Sequence, residues 1–279
     1  MVQASPRIRV ALSIAGSDSG GGAGIQADLK AFAACGLHGT TAITAITAQN
    51  TIGVEAVEMV APAMILAQVR AVARDIRVDA VKIGMLGTVA SIEAVAEALA
   101  ELRDGTAAGG PPVVLDPVMV AESGARLLDE DARETLVRVL LPMVDVVTPN
   151  LPEARVLAGD AAPVRAETED TTEEATALAR AVHALGPRCV VLTGGHRAQA
   201  TDVFFDGGRV VEIRGERHPD GAAHGSGCTH SSVLAARLAL GDSPLTAARA
   251  AKRRAAQAVH DGLSSVGAGP GPVDVLAIA

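Results

Sequence analysis

The chain has 279 residues, with 24 Lys+Arg against 32 Asp+Glu, a formal net charge of −8, and 1% aromatic residues without Trp or Tyr. The charge disfavours a duplex nucleic-acid binder, whose affinity rests on neutralising phosphates, and the missing rings disfavour single-strand binding by base stacking. Mean hydropathy is +0.31, yet no apolar run approaches the ~18 residues of a spanning helix. Met1–Val10 also lacks the apolar stretch of a signal peptide. No nucleic-acid or membrane partner is expected, and the location expected is cytoplasmic. Cys35, Cys189 and Cys228 are widely spaced and form no C-x-x-C pair. That pattern fits a reducing compartment better than a zinc ribbon or a disulfide framework.

Strand and helix signals alternate along the chain. Ile8–Ala15 is a nearly continuous apolar run, as in a buried parallel strand, and Ile25–Cys35 has helical character. Thr40–Ala48, rich in β-branched residues, predicts a second strand, and Pro62–Asp75 a helix with Pro near its start. Ala80–Ile83 and Val113–Leu115 read as short buried strands, with a helix over Ser91–Arg103 and a loop over Asp104–Pro112. Asp129–Leu140 reads as a helix and Val144–Val147 as a strand. The acidic, Thr-rich stretch Asp160–Glu174 reads as a solvated loop or helix entry, followed by a helix over Thr171–Leu185 and a strand over Cys189–Leu192. Val203–Phe205 and Arg209–Ile213 flank a hairpin signal, and Ser226–Leu240 and Pro244–Asp261 are the last two helices. Repeated strand–helix units imply an α/β protein, a mostly parallel sheet covered by helices on both faces. No linker splits the chain, so one domain over residues 1–279 is expected.

In such sheets ligands bind beyond the carboxyl ends of the strands, and four polar clusters fall there. Gly16 to Gly24 is glycine-rich but holds no P-loop. Gly22 to Ala27 matches a dinucleotide fingerprint, but the second strand ends in Gln49 and Asn50 where that fingerprint needs an acid. Asp116, at the end of a buried strand, either caps the next turn or binds a ligand. Asn150 and Glu153 flank Pro152 at a helix start, which suits capping and equally suits oxygen ligation of Mg²⁺ through water. His224 to Thr229 runs straight into an Ala/Leu-rich helix, an arrangement that binds anions. The same field would lower the thiol pKa of Cys228, against the alternative of an inert buried Cys. Cys35 and Cys189 read as core. His196 follows Thr193, Gly194 and Gly195 and reads as a site-lining residue, whereas His230 reads as surface or satisfied core and Lys252–Arg254 as a solvated helix face.

The run from Ala11 to Lys30 resembles the opening signature of the hydroxymethylpyrimidine/phosphomethylpyrimidine kinases of thiamine biosynthesis. Further matches follow in order at Thr44–Thr51, Val81–Leu86, Val114–Met119, Thr148–Ala154, Leu192–His196 and His224–Thr229. The resemblance implies a ribokinase-like fold, ATP and Mg²⁺ as cofactors, and a homodimer. It also implies two successive phosphorylations, of hydroxymethylpyrimidine and then of its monophosphate. By resemblance, Gln49 pairs with the aminopyrimidine, and Asp28, Ala23, Thr47 and Met85 surround the ring. Asp116 and Glu153 lie near Mg²⁺, and Asn150, Thr193 and Gly195 near ATP. Gly225, Ser226, Gly227 and Cys228 form the anion hole, with Cys228 as the base.

With no Trp or Tyr, the ring is expected between aliphatic groups such as Met85 and Ala23. Three positions depart from the family pattern. Thr193 stands where many members have Lys, Ser226 where Thr is usual, and His230 where an apolar residue is common. No fused thiamine-phosphate synthase domain is expected after the last helix. The alternatives are a pyridoxal kinase of the same subfamily, or a domain that binds the pyrimidine without turning it over. Joint retention of Cys228, Asp116, Asn150 and Glu153 argues against the last.

Overall fold

The computed structural model describes residues 7–104, 109–120, 124, 127–129, 131–162, 171–195 and 200–278. Its first half contains β1 (Val10–Asp18), α1 (Gly24–Ala34), β2 (His38–Gln49), β3 (Val54–Met59), α2 (Pro62–Asp75), β4 (Ala80–Ile83), α3 (Val89–Asp104) and β5 (Val113–Leu115). The second half contains α4 (Ala132–Thr135), β6 (Val146–Val147), α5 (Leu151–Ala158), α6 (Thr172–His183), β7 (Cys189–Leu192), β8 (Asp202–Phe205), β9 (Val210–Ile213), α7 (Ser226–Ala239) and α8 (Pro244–His260). The strands form one nine-stranded sheet in the order β3-β2-β1-β4-β5-β6-β7-β8-β9. From β2 to β7 every neighbour is parallel, and β3, β8 and β9 join antiparallel.

Side-chain alternation along the strands feeds two cores. Leu12, Ile14, Val81, Ile83, Val113, Leu115, Val190 and Leu192 pack with α2 to α6 on one face. Ala11, Ala80, Val114, Val146 and Val191 pack with α1, α7 and α8 on the other. Ser13 and Lys82 alternate with members of the first set, so they face the α1/α7 layer. Phe204 and Phe205 are buried on opposite faces of β8, and Phe32 is fully buried in α1. All the aromatic rings are therefore spent on core.

The sequence pattern misses β3. Its residues are mostly exposed at the sheet edge, so it lacks a buried period. The signal lies instead in the turn before it, where Asn50 Oδ1 accepts from the amides of Ile52 and Gly53. The helix expected over 129–140 is shorter and irregular. After α4 the chain widens into a π turn over Leu136–Leu140 and a 3₁₀ turn over Leu141–Met143. Pro142 lacks the N–H that a regular ladder needs there. Within the acidic stretch, residues 163–170 lie outside the described residues, and Thr171 caps α6 by accepting from the Glu174 amide. Lys252 is not on a solvated face: it is 7% exposed and donates to Asp202 Oδ1 at 2.6 Å.

Candidate active site

Because β2, β1, β4, β5, β6 and β7 run parallel, all their carboxyl ends lie on one edge. Along that edge stand Gln49, the glycine loop, Met85, Asp116, Asn150 with Glu153, and Thr193, each at or just past the end of its strand. The sheet order thus turns scattered sequence positions into a row.

At one end the glycine loop folds over Asp18. The Asp18 carboxylate accepts from the amides of Gly20, Gly22 and Ala23 at 2.8, 2.9 and 2.8 Å. His224 Nε2 lies 3.3 Å from its Oδ2. Burial pushes the Asp18 carboxyl up, but His224 and these amides outweigh it and hold the pKa below its ordinary value. The glycine loop and the loop before α7 are in direct contact. A Cβ on Gly22 would come 2.2 Å from the His224 ring, and one on Gly225 would come 1.8 Å from Gly22 O. Gly225 also has φ +81°, a left-handed conformation.

Two helix N-termini meet at Cys228. It sits in the first turn of α7, and the Gly24 amide, at the start of α1, donates to its thiol. The amides of Gly227 and Cys228 have no intrahelical acceptor, so they can receive an anion. The Ser226 amide cannot, since it donates to Ala223 O at 2.9 Å. The expected anion hole is correspondingly narrower. The expected depression of the thiol pKa is also not found. Burial pushes Cys228 up to about 12, and Asp28 and Asp116 add to it against Lys82 and the Gly24 amide. Loss of water around the half-buried thiol, with two carboxylates nearby, outweighs Lys82 and the Gly24 amide.

Around the expected ring position, Gln49 is held in a knot of hydrogen bonds. Thr47 Oγ1 donates to Gln49 Oε1 at 3.1 Å, and Ser19 Oγ donates to Gln49 O at 2.7 Å. Met85 lies against Gly16, and Thr44 Oγ1 donates to Met85 O at 2.6 Å. Asp28 departs from the expectation. Its carboxylate is 0% exposed and accepts from Ser13 Oγ at 2.6 Å, Ser232 Oγ at 2.7 Å and Lys82 Nζ at 2.8 Å. With no exposed surface and its oxygens bonded to Ser13, Ser232 and Lys82, it lies below the surface of the site in this structure.

Asp116 accepts from Ser231 Oγ at 3.0 Å. Burial raises its pKa, against the pull of Lys82 and Ser231. Glu153 completes a capping box: Asn150 Oδ1 accepts from the Glu153 amide and Glu153 Oε2 from the Asn150 amide, each at 2.9 Å. Burial, and then the charge of Asp116, push Glu153 up to about 8. Two carboxylates that disfavour each other's charge suit a divalent cation. Among the described residues no cluster of three or more His, Cys, Asp or Glu would hold a metal alone. The pair fits Mg²⁺, which keeps waters and takes phosphate oxygens.

At the far end the Thr193 amide donates to Pro149 O at 2.8 Å, bringing Thr193 beside Asn150. Gly195 is exposed, and His196 lies outside the described residues. Behind them is a cluster that the sequence reading missed. Asp202 accepts from the Gly194 amide at 2.9 Å and from Lys252, while His230 Nε2 lies 3.2 Å from its other oxygen, off the line of a good hydrogen bond. His230 is only 4% exposed. A polar residue at that position acquires a partner only through the fold.

A mostly parallel sheet with helix N-termini, paired carboxylates and an ordered row of polar groups at its carboxyl edge defines a phosphotransferase of the ribokinase-like class. The phosphomethylpyrimidine kinase family model matches residues 18–274. A hydroxymethylpyrimidine/phosphomethylpyrimidine kinase of Rhizobium meliloti is 48% identical over 268 residues, covering 95% of this chain and 96% of that protein. The chain therefore belongs to the phosphomethylpyrimidine kinase family. Among solved structures, the pyridoxal kinase of Staphylococcus aureus in complex with ADP is similar with TM-score 0.84 and 31% identity, covering 98% of this chain and 95% of that one. The phosphomethylpyrimidine kinase of Clostridium difficile is similar with TM-score 0.73 and 37% identity, covering 88% and 96%.

Proposed function

We propose that the chain transfers the γ-phosphoryl group of ATP to the hydroxymethyl oxygen of hydroxymethylpyrimidine, and then a second one to the resulting monophosphate, in thiamine biosynthesis. The observation that carries this reading is the position of Cys228. The amides of α1 and α7 converge on it, between Gln49 and Met85 on one side and Asp116 and Glu153 on the other.

In this reading Gln49 offers an amide that both donates to a ring nitrogen and accepts from an exocyclic amine. Met85 and Ala23 cover the ring faces, as the burial of every Phe requires. Asn150, Thr193 and Gly195 flank the nucleotide. The amides of Gly227 and Cys228 face the transferred phosphoryl group. Asp116 and Glu153 would hold Mg²⁺, which supplies charge neutralisation between the phosphates when bound. A phosphorus–oxygen bond forms to the substrate oxygen as the bond to ADP breaks, and the hydroxyl proton passes to the Cys228 thiolate, formed beforehand by loss of the thiol proton to water. The resting thiol keeps its own proton. Asp116 is one cause of that, so cancelling its charge eases the thiol toward thiolate. Positioning and electrostatics supply most of the rate.

Incubation with Mg-ATP and hydroxymethylpyrimidine, its monophosphate, or pyridoxal tests the reading by ADP release. Release with both pyrimidines is expected. Release with pyridoxal alone would overturn it in favour of a pyridoxal kinase, and release with none in favour of a sensing domain. We further propose a single kinase domain, a cytoplasmic location that keeps Cys35, Cys189 and Cys228 as free thiols, and a homodimer. No described helix is long and apolar enough to cross a membrane. Light scattering that gives the monomer mass would refute the dimer.

A further inference from the structure

Lys82 is the one charged residue of a four-residue strand in which every residue is buried, and it is itself 0% exposed. A buried ion pair is a poor source of stability, since an apolar pair of similar volume often serves as well. Its placement is more specific than cohesion requires. Lys82 Nζ and Ser232 Oγ meet on the same oxygen, Asp28 Oδ1. Ser232 lies four residues after Cys228 on α7, so the two share a helix face. Ser231, beside it, holds Asp116 Oδ2. The ammonium also points toward the carboxyl edge: a Cβ on Gly84, two residues further on, would come 3.0 Å from Nζ. Lys82 thus lies beneath the α1/α7 layer, bound to Asp28 and within electrostatic reach of Cys228 and Asp116.

We propose that Lys82 is a positioning residue for phosphoryl transfer, the fixed counter-charge that offsets Asp28 and Asp116 beneath Cys228 and stabilises negative charge on its sulfur. This rests on the reading of Cys228 as proton acceptor. Lys82 lowers the cost of thiolate, and Asp28 and Asp116 raise it. A merely cohesive pair makes removal of either partner act alike. A charge device makes the two removals act in opposite directions.

The test is the rate at which iodoacetamide alkylates Cys228 at about pH 8, where reaction tracks the thiolate fraction, read at its own peptide by mass spectrometry. Lys82→Met is expected to slow alkylation about tenfold and to lower kcat more than it changes KM, whereas Asp28→Asn is expected to accelerate alkylation about tenfold. A change of the same sign in both variants, or in neither, overturns the proposal. Should Lys82→Met fail to fold with Asp28 left unpaired, the near-isosteric Asp28→Asn decides alone: unchanged or slower alkylation overturns it. Wild-type turnover in Cys228→Ala would sink the proton-acceptor reading, a result separate from the alkylation rates.

Discussion

Replacing Gly225 with Ala tests whether the contact between the two loops sets the geometry of transfer. The added Cβ would lie 1.8 Å from Gly22 O, where real Cβ contacts essentially never fall under 3.0 Å. One loop must therefore move by more than 1 Å. The left-handed backbone adds roughly 1–2 kcal/mol of strain for a residue with a side chain. Both neighbours of this contact matter to the proposed chemistry: Gly24 donates to the Cys228 thiol, and Gly227 and Cys228 carry the anion-facing amides. A displacement of about 1 Å at reacting groups costs about 10²-fold in rate. Steady-state ADP release should fall by about that factor, with a lower Tm by calorimetry. A variant with wild-type kcat and an unchanged Tm would refute the reasoning, because the loops would then be free to part without consequence.

Cys228→Ala should lower kcat by about 10²–10⁴-fold with KM little changed. Equal losses in both would mean that Cys228 mainly shapes the pocket. Glu153→Gln keeps the capping-box hydrogen bond but loses the charge, so turnover should need more Mg²⁺. An unchanged Mg²⁺ titration would remove Glu153 from the metal. Asp202 has a folded pKa below its ordinary 3.8, because His230 and Lys252 outweigh burial. Its stabilisation is therefore fully present above pH 3.8 and lost as pH falls through the lower folded value. Asp202→Asn should cost about 3–5 kcal/mol near neutral pH, since it leaves Lys252 buried and unpaired. Equal Tm values for variant and wild type would show that the cluster contributes nothing.

Most of the alternation of buried strands and helices was legible in the chain, because burial on both sheet faces makes apolar runs such as Val113–Leu115 unmistakable, whereas the exposed edge strand β3 leaves no such run. The sequence also located the polar clusters, since glycines and carboxylates at strand ends interrupt those runs. Helix starts at Pro62 and Ser226 were legible from Pro and from the change to Ala/Leu-rich chain. Long-range partners were not. Nothing in the strand Ala80–Ile83 says which carboxylate neutralises Lys82, though a lysine inside so apolar a strand flags a buried charge. Ser13 becomes its neighbour only when β1 pairs with β4, and Asp28 and Ser232 only when α1 and α7 pack on that sheet face. Lys252 read as solvated and His230 as surface or satisfied core until Asp202 on β8 gave the first an acceptor and the second a carboxylate 3.2 Å away. The Cys228 thiol follows the same rule. Local sequence supplies the helix terminus that would lower its pKa, while burial and two distant carboxylates, assembled only by the fold, raise it. Hydrophobic period is a property of neighbours along the chain, whereas charge is balanced by neighbours in space.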